Sequence, residues 1–209
     1  KINLIFDISK KLTRFKEIQL SYNKLDFFLD HLDVTKKDKD LLFKGKLQNK
    51  NFEITNDNII DVYDLNILGI KRINFNSKNL FSFKLKKNLK FDDLKFESEV
   101  KINELVLANK LKIDRFLPNI KNEILFLNHN LKINYNRSGY FIKGNGKIVL
   151  NNNRDKINYS INKKNKIINF NTLVEIEENP LDLDFLNFKK KKNISSLINI
   201  NGVRNIDSS

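Results

Sequence analysis

The sequence predicts an all-β protein organised around an extended antiparallel sheet, and three observations lead to that prediction. Apolar residues fall on every second position in one segment after another, and polar tracts rich in Asn, Lys, Gly and Ser separate the segments. The segments recur about every 8 to 12 residues, as in all-β arrays. Because no linker rich in Pro, Gly or Ser divides the chain, we expect residues 1–209 to form a single β unit.

The clearest alternation runs from Leu131 to Ile176, where four successive segments predict four antiparallel strands. A period of two gives a sheet with one dry face and one wet face. A sheet of this kind must roll up, pair with another sheet, or cover its dry face with something else. The side chains expected to line the dry face are Ile133, Tyr135, Tyr140, Ile142, Ile148, Leu150, Ile157, Tyr159, Ile161, Ile168, Phe170, Val174 and Ile176.

The amino-terminal segments continue the same pattern with one open alternative. Residues 2–8 and 18–22 alternate and predict strands. The apolar residues between Leu25 and Leu32 have helical spacing in a short segment, so both a helix and a strand remain open. The acidic residues between Asp26 and Asp40 interleave with Lys and lack the Gly and terminal Glu of a calcium-binding EF-hand loop, which predicts a charged, solvated loop.

Short strands and turns are expected along the rest of the chain. A strand at 41–47 is followed by a predicted turn at Asn49–Asn51, and short strands should continue from Phe52 to Ile113. Pro118 predicts a loop or a single helical turn, since proline cannot donate to a β ladder. Beyond Ile176, the tract 177–180 breaks the pattern before a last alternation at 194–200.

The composition excludes several functional classes. The chain contains no Cys, and His31 and His129 alone cannot build a multi-histidine zinc site. The net charge of +14 comes almost entirely from Lys, whereas Arg, the better reader of bases and phosphates, is scarce. Lys, Asn, Ile and Phe abound together, as A+T-rich coding produces. We therefore expect no nucleic-acid partner, no metal and no cofactor.

No motif in the sequence carries catalytic chemistry. Gly144-Asn145-Gly146 resembles a phosphate loop, but it lies inside an alternating strand and no helix follows it. A structural role in bending or close packing is expected for these glycines. The adjacent carboxylates Asp92 and Asp93 would point to opposite faces of a strand and form no acid–base pair. These features predict that the chain is not an enzyme.

The chain begins with Lys1, contains no Met, and has neither a secretory leader nor a run of 18 apolar residues. These features suggest a piece of a longer protein. Any signal sequence or membrane anchor would then lie outside the 209 residues.

Several motifs of the chain resemble the periplasmic domains of AsmA-like proteins, especially the large YhdP-like members found in Gram-negative bacteria. The resemblance spans about residues 41–200. The residues that carry it are Leu131-Lys-Ile-Asn-Tyr135, Tyr140-Phe-Ile-Lys-Gly-Asn-Gly146-Lys-Ile148, Asp155-Lys-Ile-Asn-Tyr159-Ser-Ile161, Ile168-Asn-Phe170 and Asn187-Phe-Lys-Lys190.

The resemblance implies a twisted antiparallel sheet curled into an open groove, known as a β-taco or repeating β-groove. It also implies a periplasmic protein, held in the inner membrane by an anchor outside this chain, that carries phospholipid acyl chains towards the outer membrane and supports its integrity. Two alternatives stay open at this point. One is a closed β-sandwich that acts as a binding or structural module, and the other is a basic nucleic-acid-binding domain.

Overall fold

The computed structural model describes residues 3–7, 11–22, 25–55, 69–109, 121–150, 152–183 and 186–206. These residues form strands and contain no α-helix, so no described helix could cross a membrane. The strands are β1 (Asn3–Asp7), β2 (Leu12–Tyr22), β3 (Leu25–Lys37), β4 (Asp40–Thr55), β5 (Ile70–Leu85), β6 (Phe91–Ala108), β7 (Glu123–Asn136), β8 (Gly139–Leu150), β9 (Asn153–Lys164), β10 (Ile167–Ile176), β11 (Leu181–Leu183), β12 (Phe188–Lys190) and β13 (Ser196–Asn205).

Eleven of these strands form one antiparallel sheet in chain order, from β1 through β10 and then β13. Strands β11 and β12 form a separate two-stranded hairpin. Strands β1 and β13 stand at opposite edges and do not pair, so the sheet is open. Extensive contacts join only strands that are neighbours in the sheet. The predicted all-β open sheet is therefore confirmed, and the described strands do not form the alternative closed sandwich.

The strand register places the apolar residues of successive strands opposite one another on one side of the sheet, which we call the apolar face. One row crosses nine strands on this face. Its members are Ile18, Leu29, Leu47, Asn79, Ser98, Ile133, Ile142, Ile161 and Phe170. Because side chains alternate between the two sides of a strand, every second residue above and below this row shares the same face as far as the next register shift.

The sheet bends along a second row of the apolar face, made of Phe52, Phe75, Ile102 and His129. Register shifts lie beside this row in β4, between β5 and β6, and in β7. At the shifts in β4 and β7, Asn51 and Asn128 adopt positive φ angles of 50° and 52°. An extra residue in one strand bends the strand and increases its twist. The bend buries Phe52, Ile102 and His129 without any second layer of described strands. We call this row the floor of the curled sheet.

Aromatic rings lie over glycines of neighbouring strands on the apolar face. A Cβ atom added to Gly146 would lie 2.3 Å from Cδ2 of His129, and one added to Gly144 would lie 2.5 Å from the Tyr159 ring. These two glycines therefore provide room for the rings, which agrees with the close-packing role expected for them.

The segment between Leu25 and Leu32 is a strand, so the helical alternative is wrong. It is part of β3 and pairs with both β2 and β4. A register shift between Leu29 and His31 inserts one extra residue. Leu29 and Leu32, three positions apart, therefore both reach the apolar face. The shift mimics helical spacing in the sequence.

Two loop predictions in this region are also wrong. The expected turn at Asn49–Asn51 is a bulge inside the continuous strand β4, because Asn with positive φ suits both structures. The expected charged loop at 26–40 is mostly strand, and only residues 38 and 39 form a turn. Asp26 and Asp33 lie on the polar face, where Asp33 accepts two hydrogen bonds of 2.5 and 2.6 Å from Arg14.

The short strands expected between 70 and 107 are two long strands, β5 and β6. The four strands predicted between Leu131 and Ile176 are confirmed as β7 to β10. Parts of the predicted run of short strands from Phe52 to Ile113, at 56–68 and 110–113, and the loop predicted at Pro118 lie outside the described residues.

Substitution of Gly146 by Val should destabilise the fold. The His129 ring that it would meet is 1% exposed and hydrogen-bonded at both nitrogens, so the ring cannot move aside. Overpacking of this kind costs about 1–3 kcal/mol. Gly202→Val is the matched control, since its neighbour Phe170 is 38% exposed and can swing outwards. Urea denaturation measures the loss in the free energy of unfolding for both variants. Equal losses would contradict the rigid packing of His129 against Gly146.

Candidate functional site

The strand register places all thirteen residues predicted for the dry face on the apolar face. Tyr135 pairs with Tyr140, and Ile133 pairs with Ile142, which in turn pairs with Ile161. The remaining members follow in the neighbouring rows. These residues therefore share one side of β7 to β10, and their contact with a ligand stays a prediction.

The same residues divide into a buried group and an accessible group. Ile148, Leu150 and Ile157 form a buried cluster with Ile124, and Ile176 is also buried. The accessible members are half-buried or exposed, and they are Ile133, Tyr135, Tyr140, Ile142, Tyr159, Ile161, Ile168, Phe170 and Val174. Only the accessible group can contact a ligand without rearrangement of the sheet.

The segment from Glu177 to Lys192, which includes the β11–β12 hairpin, lies against one margin of the apolar face. Asp155 stands on that face beside Ile148, and it is buried. Its carboxylate accepts hydrogen bonds from the backbone N–H groups of Glu177 at 2.8 Å and Glu178 at 2.9 Å, and from the Asn179 amide at 2.5 Å. This carboxylate therefore holds the segment in place.

Lys190 fixes the same segment from within the hairpin. Its buried ammonium group donates hydrogen bonds to the carbonyl oxygens of Glu177 at 3.0 Å, Asn179 at 2.7 Å and Lys191 at 3.2 Å. Three acceptors satisfy the three donors of an ammonium group. Lys190 thus ties the hairpin to residues 177 and 179, which Asp155 in turn holds at this margin of the apolar face.

The opposite margin of the apolar face contains an uncovered apolar depression of about 390 Å³. Its lining comes from three neighbouring strands and carries no charged side chain. The lining residues are Leu94, Phe96, Ile133, Tyr135, Tyr140 and Ile142. Four of the six belong to the predicted set, and the other two come from β6.

A hydrogen-bonded polar ladder interrupts the apolar face near the middle of the sheet. Ser77 donates to Asn49, the Asn79 amide donates to Ser77 at 2.7 Å, and Ser98 donates to Asn79 Oδ1 at 2.6 Å. All four residues are buried. These polar groups already have hydrogen-bond partners within the sheet. An apolar ligand can therefore cross the ladder without breaking those hydrogen bonds.

His129 is a buried polar group on the floor. Its Nε2–H donates to the Lys147 carbonyl oxygen at 3.0 Å, because a carbonyl can only accept, and the Tyr159 hydroxyl lies 3.2 Å from Nδ1. Burial lowers the pKa of His129 and raises the pKa of Tyr159. The lowered pKa of His129 favours the neutral ring at this buried position.

The sequence prediction missed the contribution of β2 to β6 to the apolar face. Phenylalanines cover this half, and their rings contact one another across strands. Phe43 stacks on Phe83 with centroids 4.8 Å apart, and Phe52 meets Phe27 at 5.0 Å and Phe75 at 5.3 Å. The alternation of Phe with polar residues in 75–83 could have assigned β5 to the apolar face. In the neighbouring strands, bulges interrupt this alternation.

The polar face carries charges of both signs in cross-strand ion pairs. Lys71 lies 2.7 Å from Glu123 and Lys156 lies 3.2 Å from Glu175. The hydrogen bond from Arg14 lowers the pKa of Asp33, and the bond from Lys71 lowers that of Glu123. A broad depression of about 760 Å³ on this face is lined mainly by Lys and Asn side chains, with Glu99 among them. The two faces of the sheet thus differ sharply in polarity.

Comparison of the chain with protein-family models, with curated proteins and with solved structures finds no match.

His129 predicts how folding stability changes with pH. Its folded-state pKa lies below the ordinary value of 6.5, so the unfolded chain takes up a proton that the folded chain does not. The contribution of His129 is complete above pH 6.5 and is lost as the pH falls towards the folded-state pKa. We expect His129→Gln to flatten the decline in stability between about pH 7.5 and 5.5, measured by urea denaturation. His31→Gln serves as the control, and an unchanged slope in His129→Gln would contradict the prediction.

Proposed function

We propose that the accessible part of the apolar face binds phospholipid acyl chains, and that the chain is a segment of an AsmA-like lipid carrier. The observation that carries the proposal is an apolar face that continues across neighbouring strands of an open sheet without a second layer of described strands. Large uncovered apolar strips are uncommon on soluble monomers and mark ligand or partner surfaces.

The shape and chemistry of the face fit a flexible, apolar ligand. The sheet curls along its floor, and the apolar rows run across the strands. Neighbouring strands are about 4.8 Å apart, so four strands span roughly 15 Å. An acyl chain laid across them would meet aliphatic and aromatic side chains and the internally bonded polar ladder.

Apolar burial alone provides enough free energy to bind an acyl chain here, so no specific polar contact is required. Burial of each methylene contributes about 0.8 kcal/mol, and a groove that is open on one side gives about half of that. Several methylenes then offset the entropy lost by ordering the chain. The absence of a fixed polar contact would let lipids with different headgroups bind in the same way.

The resemblance to AsmA-like proteins supports a carrier in particular. It would place the chain in the periplasm, joined to an inner-membrane anchor outside these residues, and carrying phospholipid towards the outer membrane. The proposal assigns no catalytic role and no nucleic-acid partner. Neighbouring cations and carboxylates on the polar face are consistent with a solvated surface.

Photocrosslinking at two adjacent positions tests the proposal. A photoactivatable amino acid at position 142 would lie on the apolar face beside the depression, whereas the same amino acid at position 143 would lie on the polar face. We expect a phospholipid adduct at position 142 and none at position 143, detected by mass spectrometry after irradiation with dispersed phospholipid. Adducts at neither position, or equally at both, would overturn acyl-chain binding here.

Charged substitutions separate lipid binding from folding. Ile142 is half-buried next to the open depression, so Ile142→Lys can place its ammonium group in water. We expect this variant to fold with a loss of about 1 kcal/mol and to compete poorly for lipid. Ile157→Lys is the contrast, because it would bury a charge within the packed cluster and should unfold the chain. Thermal melting and lipid binding of both variants provide the measurements.

A further inference from the structure

The turn between β5 and β6 displays two large apolar side chains to solvent. Leu89 is 75% exposed and Phe91 is 72% exposed. The turn itself is well formed, with a 2.9 Å hydrogen bond from the N–H of Leu89 to the carbonyl of Lys86, and a 3.0 Å bond from the N–H of Lys86 to the carbonyl of Lys90. The apolar side chains are thus held at the tip of an ordered hairpin.

Leu89 occupies a backbone conformation that does not suit leucine. Its φ angle is 60°, in the left-handed region where Gly and Asn are favoured. The other described turn residues with positive φ, apart from glycine, are polar, and they are Lys11, Asp38, Asn165, Asn187 and Asn193. The fold therefore gains nothing from Leu at this tip, and its side chain buries little against the protein.

The exposed tip is continuous with the apolar face. The Phe91 ring meets Phe83 edge-on at 5.3 Å, and Phe83 stacks on Phe43 at 4.8 Å. Leu94, three residues beyond Phe91, lines the apolar depression. An apolar path thus runs from the tip of the turn into the accessible part of the face.

Basic side chains surround this tip. In a meander, alternate turns share one margin of the sheet, and here these turns with the strand residues that flank them span 36–40, 86–93, 136–140 and 163–167. Together they contain ten Lys and Arg residues and four Asp residues. Lys87 and Lys90 flank Leu89 and make no ion pair with any described residue. The margin therefore carries a net positive charge around its apolar tip.

We propose that this margin docks on the surface of a bilayer that contains anionic phospholipid, with Leu89 and Phe91 inserted among the acyl chains and the neighbouring lysines on the headgroups. Leu and Phe between basic residues are typical of interfacial membrane anchors, and lysines near an anionic surface add electrostatic attraction. A nucleic-acid partner would account for the lysines at this margin, but it would not account for an exposed leucine at a positive φ angle. The docking surface does not depend on the proposed acyl-chain groove, and either can fail alone.

Vesicle flotation of the full chain tests the docking surface. We expect binding to vesicles of phosphatidylcholine mixed with phosphatidylglycerol, weaker binding to phosphatidylcholine alone, and a decline as salt shortens the range of the attraction. Leu89→Asn suits the positive φ angle, so it should fold at least as well while it weakens binding by about tenfold. Lys87→Glu with Lys90→Glu should weaken binding by at least that factor.

Leu197→Asn is the matched control. Leu197 is 66% exposed, but it lies on the polar face of β13 and pairs with Glu175, at the margin opposite the basic turns. Its substitution should leave vesicle binding unchanged. Failure to bind anionic vesicles, equal binding to both vesicle types, or equal loss in Leu197→Asn and Leu89→Asn would overturn the docking surface. Crosslinking at position 142 to dispersed lipid should persist in Leu89→Asn, which separates this outcome from failure of the groove.

Discussion

The hydrogen-bonded register of the eleven-stranded sheet is the constraint on which the structure depends. Each strand pairs with its neighbours in chain order, and a side-chain period of two then assigns every residue to one face. Register shifts beside the floor bend the strands, and the bend buries Phe52, Ile102 and His129 although the described residues form no second layer over them. Curvature and burial therefore have one origin, which is the extra residue that each register shift inserts into a strand.

The positions that break the apolar pattern maintain this curled sheet. Glycines in β8 leave space for the rings of His129 and Tyr159, and the polar ladder satisfies its own donors within three strands. Asp155 and Lys190 fix a hairpin over one margin by hydrogen bonds to backbone groups. The face remains accessible at the other margin, where apolar side chains have no described partner above them. This asymmetry makes the face a candidate site.

The sequence predicted the fold class and the face of β7 to β10, because regular alternation there has few interruptions. It misplaced structure in β3 and β4, where one extra residue near Leu29 resembles helical spacing and Asn51 resembles a turn. A local sequence pattern cannot distinguish a bulge from a turn, because both structures use Asn at positive φ. Only the pairing of the segment with both neighbouring strands shows that it is a bulge. The hydrogen bonds that Asp155 accepts from residues 177–179 could not be predicted either, because these partners lie more than twenty residues away in the sequence.

Paramagnetic broadening of methyl resonances by a spin-labelled fatty acid can show whether one face of the sheet is open to acyl chains. Ile167 and Ile168 are adjacent in β10 but lie on opposite faces. We expect strong broadening for Ile142, Ile161 and Ile168, and little for Ile167 and the exposed Val203 of the polar face. Equal broadening on both faces, or none at Ile142 and Ile161, would contradict an open acyl-binding face.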